Sequence, residues 1–384
     1  MFFLSRRGGD TKDKFSLALM IAVLMYSFSR KYFSKYKEYK LEIFVSSIYL
    51  FFVSNSYFYT SNKSEDLFYT FLHASLYSIV FFLVVLNFKL EEKYISYILP
   101  LLLLITISPM IYGIRDFIEN YNILDGYRLH GDSYTTKYAL DLGIYFLIGF
   151  FSFIYYKNKY LKVLLLLYLT IDIILIVGTQ SRNDFIMLPL TLILITLFKN
   201  YKKGIIVIAV SFILGILIIK SPLEIKGVER IKNSLSTMDK IKKDARYILF
   251  KEGIEISKKN LFKGDGFFRY KGDEKRINEI EYYEHFHNIF IETAVTQGVL
   301  ALISYVIFLL TLFYRLVKNY FVENNELKKN IKLMTIAIFI FSHLYGLAEP
   351  IFYFEKLYQL IFTIIAISII IDDPDLEKER KEKK

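Results

Sequence analysis

Long apolar stretches alternate with short charged linkers along most of this chain. A helix needs roughly 17–25 residues to cross about 30 Å of hydrocarbon. Stretches near 14–29, 41–60, 67–88, 94–112, 138–156, 161–177, 184–198, 204–220, 288–314, 331–348 and 351–371 meet or approach that length. They are continuously apolar, whereas a membrane β-strand would alternate and span only about 10 residues. Hydrocarbon offers the backbone no hydrogen-bonding solvent, so each stretch is expected to satisfy itself as a helix. The pattern predicts an all-α, polytopic transmembrane bundle of about eleven or twelve helices. Residues 1–220 would form the N-terminal transmembrane helices, 221–287 one long extracytoplasmic loop, 288–371 the C-terminal transmembrane helices, and 372–384 a cytoplasmic charged tail.

Lys and Arg set the orientation, because cytoplasmic loops carry the excess of both. They concentrate in the linkers near 30–40, 87–93, 155–162, 199–204 and 315–332 and in the tail, whereas 61–66, 178–183 and 349–350 hold only Lys63 and Arg182. The first set is therefore cytoplasmic, and 113–137, 178–183 and 221–287 share the outer face. Arg6, Arg7, Lys12 and Lys14 fit this scheme only if the first apolar stretch is not a full span.

The loop 221–287 holds 15 Lys and Arg with 12 Asp and Glu, too polar and too short for a large independent core. It reads as a cap over the bundle. Within it Ile241, Ala245, Ile248, Leu249 and Ile256 recur at helical spacing, predicting an amphipathic helix over about 239–259. Lys263-Gly264-Asp265-Gly266-Phe267 then reads as a turn whose glycines permit positive φ or close backbone approach, or simply stop the helix.

Composition agrees with a membrane protein: 54% hydrophobic and 18% aromatic residues exceed what a soluble domain of this size carries. The net charge of +11 is explained by linkers beside anionic headgroups, so no nucleic-acid partner is expected. Cysteine is absent, which excludes disulfides and thiolate metal ligands.

Candidate chemistry gathers on the outer face. In Glu284-His285-Phe286-His287-Asn288, continuing to Gly298, a titratable imidazole stands where the loop meets an apolar helix. Three arginines share that face: Arg128 in Tyr127-Arg128-Leu129-His130-Gly131, Arg182 in Gly178-Thr179-Gln180-Ser181-Arg182-Asn183, and Arg246 after Asp244-Ala245. Each alone suits an interfacial anchor. Together they suit phosphate, which the planar guanidinium grips through parallel charge-assisted hydrogen bonds. Ser181 or Asn183 would cap the following helix. His285 with Glu281 or Glu284 suggests a metal pair, but residues two apart diverge on a helix, so no metal is expected. His73 and His343 read as packing residues, Asp172 as a protonated acid or a support for an Arg, and Asp373-Pro374-Asp375 as a helix-ending turn; the aromatics mostly fill the bundle and its interfaces, with a glycan platform at Tyr282 and Tyr283 as the alternative.

Through the segments 128–131, 178–182, 244–246, 264–266 and 287–298, the chain resembles the bacterial O-antigen ligase and polymerase family of membrane glycosyltransferases. The resemblance covers about residues 120–315. It implies transfer of a glycan from undecaprenyl diphosphate, outside the cytoplasmic membrane, to lipid A-core in a ligase or to a second lipid-linked glycan in a polymerase. It also implies His287 as the catalytic base, positioned by Asn288, with Arg182, Arg246 and Arg128 on the diphosphate and Ser181, Gly264 and Gly266 in support. No cofactor is expected. The family commonly has a small residue where this chain has Asn183. The chemistry agrees on independent grounds: diphosphate is a good leaving group that needs positive charge as it departs, and a histidine, ordinarily titrating near ~6.5, accepts the acceptor hydroxyl's proton at neutral pH. A lipid-linked glycan flippase or other transporter is the alternative from another class, although such proteins usually show internal repeats and midplane ionisable groups.

Overall fold

The computed structural model describes residues 38–60, 65–86, 90–120, 127–131, 133–199, 245–259, 261–267 and 284–371. The expected spans at 14–29 and 204–220, most of the 221–287 loop, the 372–384 tail, Asp244, Tyr282, Tyr283 and the His73 side chain lie outside them.

The described residues form helices joined by turns and loops, with no strand among them. In chain order the helices are α1 (Lys40–Tyr59), α2 (Glu65–Ser75), α3 (Phe81–Val85), α4 (Glu92–Ile95), α5 (Ile98–Asn120), α6 (Thr135–Tyr155) and α7 (Lys159–Thr179). They continue as α8 (Arg182–Lys199), α9 (Ala245–Lys259), α10 (Ile289–Gln297), α11 (Val299–Val322), α12 (Glu326–Tyr345) and α13 (Glu355–Ile370). A π-helical turn at Leu76–Val80 joins α2 to α3. Among the described residues, five helical stretches are long and apolar enough to cross a membrane: α1, α4 with α5, α6, α7 and α11. The protein is a multi-pass membrane protein.

The described residues fall into two compact units. The first lies within Leu99–Ile248 and Ile336–Ala348; the second takes the rest, within Arg7–Ile98, Leu249–Thr335 and Glu349–Lys384. In the first, α6 is the central helix, with 72% of its span buried, while α7 buries 33% and turns Val163, Leu164, Leu166, Leu167, Ile173 and Ile174 outward as a lipid-facing helix would. Gly143 and Gly149 let α6 pack closely: a Cβ at Gly143 would stand 2.2 Å from the Phe341 ring, and one at Gly149 2.5 Å from Tyr168. In the second, α1, α10 and α11 pack together, with Tyr49 and Tyr305 rings 4.9 Å apart and Phe308 stacked on Phe362 of α13 at 5.8 Å.

One expected span divides in two. The apolar stretch 288–314 is not a single helix: α10 ends at Gln297, Gly298 takes φ 95°, and α11 begins anew at Val299 and runs on to Val322. The cause is tertiary. The turn after α9 donates Asp265 N–H to Val295 O at 2.7 Å and Gly266 N–H to Thr296 O at 3.0 Å, satisfying carbonyls a helix end leaves without partners. Leu261 O accepts Val299 N–H at 2.7 Å in return. Gly264 makes the approach possible, since with φ 65° its Cβ would lie 2.5 Å from the Thr296 carbonyl carbon.

Candidate functional site

In the first unit, three sequence-distant segments meet at the break between α7 and α8. Gln180 ends α7 in a left-handed conformation at φ 51°, uncommon for a residue with a Cβ. Its side-chain amide donates to Tyr127 O at 2.8 Å, and Leu129 N–H donates to Gly178 O at 3.0 Å, so the 127–131 loop lies against the break. Gly178 has no side chain because Leu129 occupies that space, 2.1 Å from where a Cβ would sit. Asp116 anchors the loop's other side, accepting from the Tyr127 hydroxyl at 2.6 Å and from His130 and Gly131 N–H, both at 3.0 Å. Burial and that carboxylate push the Tyr127 phenol up to about 12, which keeps it a donor.

Onto this scaffold come the arginines. Arg128 Nε donates to Thr179 O at 3.1 Å, Arg182 is the first residue of α8, and Arg246 of α9 donates to Asn183 Oδ1 at 3.4 Å. Ser181 caps α8, its hydroxyl accepting Asp184 N–H at 3.5 Å. Asn183 therefore holds Arg246 and leaves the capping to Ser181. Arg128 thus meets the carbonyl end of α7, where a helix dipole favours a cation, while Arg182 and Arg246 belong to the start of α8, which is already partly positive. Such an end is suited to an anion. Asp172 is fully buried on α7, its carboxylate oxygens making no hydrogen bond among the described residues, so it holds none of the arginines there. His343 packs as expected, with Nδ1 2.7 Å from Phe339 O.

In the second unit, the segment before α10 is a tight turn. His287 adopts φ 50°, and Asn288 caps α10, its side-chain oxygen accepting Phe290 and Ile291 N–H at 2.9 and 3.0 Å. Glu292, one turn into α10, reaches back to accept Phe286 N–H at 2.8 Å and also takes the Tyr353 hydroxyl at 2.7 Å. Phe286 is buried, and Gly253 of α9 admits it, for a Cβ there would lie 3.0 Å from its ring. Glu292 is fully buried ahead of the membrane span; burial pushes its carboxyl up to about 7 against the opposing pull of Phe286 N–H, the Tyr353 hydroxyl and His287.

His287 Nδ1 lies 3.2 Å from Glu349 Oε2, with the imidazole about one-third exposed (34%) and the carboxylate nearly inaccessible (2%). A neutral imidazole beside a carboxylate holds its proton on the facing nitrogen, which leaves the Nε2 lone pair able to accept another. The sequence expectation that His285 and His287 point apart is corrected, because the segment is a turn and not a helix. His287 N–H donates to His285 Nδ1 at 3.2 Å, and the two rings stand edge to face at 4.2 Å. Glu349 and Glu292 had no assigned role in the sequence. The available signal for Glu349 was a lone ionisable group in the two-residue linker between two apolar stretches, 331–348 and 351–371.

The described residues thus define a multi-pass membrane helical protein with basic side chains at one helix break and, separately, a carboxylate-held histidine at a helix mouth. Residues 165–306 match the model of the O-antigen ligase family, which bears out the resemblance seen in the sequence and supports an enzyme of the ligase or polymerase kind. The match takes in Ser181, Arg182, Arg246, Gly264, Gly266, His287 and Asn288, while Arg128 and Glu349 lie outside it. No curated protein matches the chain.

Proposed function

We propose that this protein is an O-antigen ligase, moving a glycan from undecaprenyl diphosphate onto lipid A-core at the outer face of the bacterial cytoplasmic membrane. The observation that carries this function is the His287–Glu349 pair, 3.2 Å apart at the capped start of α10. The acceptor hydroxyl attacks the anomeric carbon while giving its proton to His287 Nε2. The bond from that carbon to the diphosphate breaks, and the electron pair leaves on the diphosphate oxygen. Glu349 orients the ring and offsets the positive charge it acquires. Arg182, Arg246 and Arg128 hold the diphosphate, whose negative charge grows as it departs. In-line displacement inverts the anomeric centre. Both a ligase and a polymerase need this base and this grip, so the acceptor decides between them.

The test is transfer by the purified full chain from a lipid-diphosphate glycan, without nucleotide or ion gradient. Wild type should turn over, and His287→Ala should fold but lose about 10²- to 10⁴-fold, the usual loss when a general base is removed. Near-normal transfer by that variant removes His287 from the mechanism. Deleting the gene should leave lipid A-core bare while polymer accumulates on its carrier; single attached repeat units would indicate a polymerase instead.

A further inference from the structure

We propose that His285, His287 and Glu349 form a binding site for one divalent transition-metal ion of the zinc type, and that its occupancy switches transfer off. Each residue offers one ligand atom, and the three atoms lie within 4.8 Å of one another. Two imidazoles and a carboxylate are the ligand set of zinc sites that keep a fourth position for water. Imidazole nitrogen selects zinc, copper or nickel over magnesium and calcium, which take oxygen.

The geometry supplies what the sequence concealed. The left-handed turn at His287 brings two histidines, separated by one residue, ring against ring at 4.2 Å. Glu349, only 2% exposed, is the fixed ligand, with His287 Nδ1 already 3.2 Å away. Ligand atoms of a tetrahedral zinc ion with bonds of ~2.0–2.1 Å stand about 3.3 Å apart, so the imidazoles must close in by about 1.5 Å at most. Both histidines are only partly buried; the ion displaces the hydrogen bond between His287 Nδ1 and Glu349, and the movement disturbs the one from His287 N–H to His285 Nδ1, both 3.2 Å long.

The consequence for transfer rests on His287 being the base proposed above; the binding does not. A neutral imidazole has a single ring-nitrogen lone pair. An ion that takes it at Nδ1 leaves the proton on Nε2, where the acceptor hydroxyl would have delivered its own. Occupied, His287 accepts no proton.

The experiment is titration of chelator-treated, detergent-purified full chain with zinc by calorimetry and with cobalt by visible absorption, alongside transfer assays. Wild type should bind one ion per chain and lose transfer in proportion. His285→Ala and Glu349→Gln should each weaken binding at least ~10-fold, the lower range for disturbing a metal site, while His130→Ala binds as wild type does. Gel filtration and thermal melting show that each variant folds, and His285→Asn replaces His285→Ala if that one does not. Absence of binding at millimolar ion, or binding that persists through both ligand variants, overturns the site. Activity lost to chelator and restored by zinc overturns the switching-off. Binding without any effect on transfer keeps the site but removes His287 as base. No binding together with an inactive His287→Ala keeps the base and discards the site.

Discussion

Glu349→Gln isolates the carboxylate's charge from its shape. The side chain stays the same length and polar, so the 2% exposed pocket it fills just ahead of the turn at Ile351–Tyr353 keeps its packing. The negative charge 3.2 Å from His287 Nδ1 is lost. At that separation two unit charges interact by about 5 kcal/mol at an effective dielectric of 20 and about 1.3 kcal/mol in water. Glu349 is buried but His287 is one-third exposed, so the loss falls between these limits, at about 2–3 kcal/mol. The imidazolium exists only once the acceptor proton has arrived, so the loss falls on the transition state and on kcat. Turnover should drop roughly 30- to 150-fold at ~1.4 kcal/mol per tenfold, with KM little changed. The glutamine amide can also donate to Nδ1 and force the proton onto Nε2, which adds to the loss. Glu349→Asp retains the charge and should keep more activity than Gln. The assay is initial rate against lipid-diphosphate glycan concentration, with protein matched between membranes. Turnover of Glu349→Gln within about twofold of wild type, a change of only ~0.4 kcal/mol, refutes the pairing as part of the mechanism, as does a loss confined to KM.

Lysine at Arg182 or Arg246 keeps the charge but loses the parallel fork, so each variant should weaken donor use substantially, with Arg128→Lys affected less; if all three track the wild type they are interfacial anchors, for which Lys serves equally well. Glu292 has its folded value raised to about 7 from an ordinary ~4.3, so its protonated form favours the fold and its contribution, complete below ~4.3, is lost as pH rises through 7. Between pH 5 and 8 the wild-type melting temperature should therefore fall relative to Glu292→Gln, which stays neutral throughout; parallel curves would contradict a buried, protonated Glu292. Gly264→Ala places a Cβ 2.5 Å from the Thr296 carbonyl carbon and 2.6 Å from Gln297 N, backbone atoms that cannot swing aside, in a left-handed conformation that itself costs about 1–2 kcal/mol. Its melting temperature in detergent should drop clearly, and an unchanged value would mean the turn does not need its contact with the α10 end.

Hydropathy revealed the helices because hydrocarbon imposes one rule on every stretch: enough continuous apolar residues to cross it. It could not reveal that 288–314 is two helices, since Gly298 sits in an apolar run and the break is enforced by the backbone of a turn some 30 residues earlier, at Asp265 and Gly266. The arginines were legible for a different reason. Arg128, Arg182 and Arg246 stand at borders between polar and apolar sequence, and their attachment to one helix break, at Thr179 O and Asn183 Oδ1, follows from where those borders lie. Glu349 was not legible as a partner of His287, because 62 residues separate them and nothing local to either names the other.

The two arrangements share a device that explains why their geometry escaped the sequence. Gln180 and His287 are the two residues other than glycine with positive φ among those described. Each immediately precedes a capping residue, Ser181 or Asn288, and each cap opens a helix, α8 or α10. The left-handed residue reverses the chain sharply enough to present a side chain at the helix mouth: Arg182 one residue beyond the cap of α8, and His287 itself before the cap of α10. A sequence shows such a reversal when glycine performs it, as at Gly264, but a glutamine or histidine in that conformation leaves no mark. Holding it costs of order 1–3 kcal/mol, and it persists only where surrounding contacts fix it. Those contacts are the Gln180 amide on Tyr127 O in one case and the Glu349 and His285 pairings in the other. Strain confined to the two helix mouths that carry the candidate chemistry is what a pair of functional positions would impose, and ordinary helix ends would have been made with less strain by glycine.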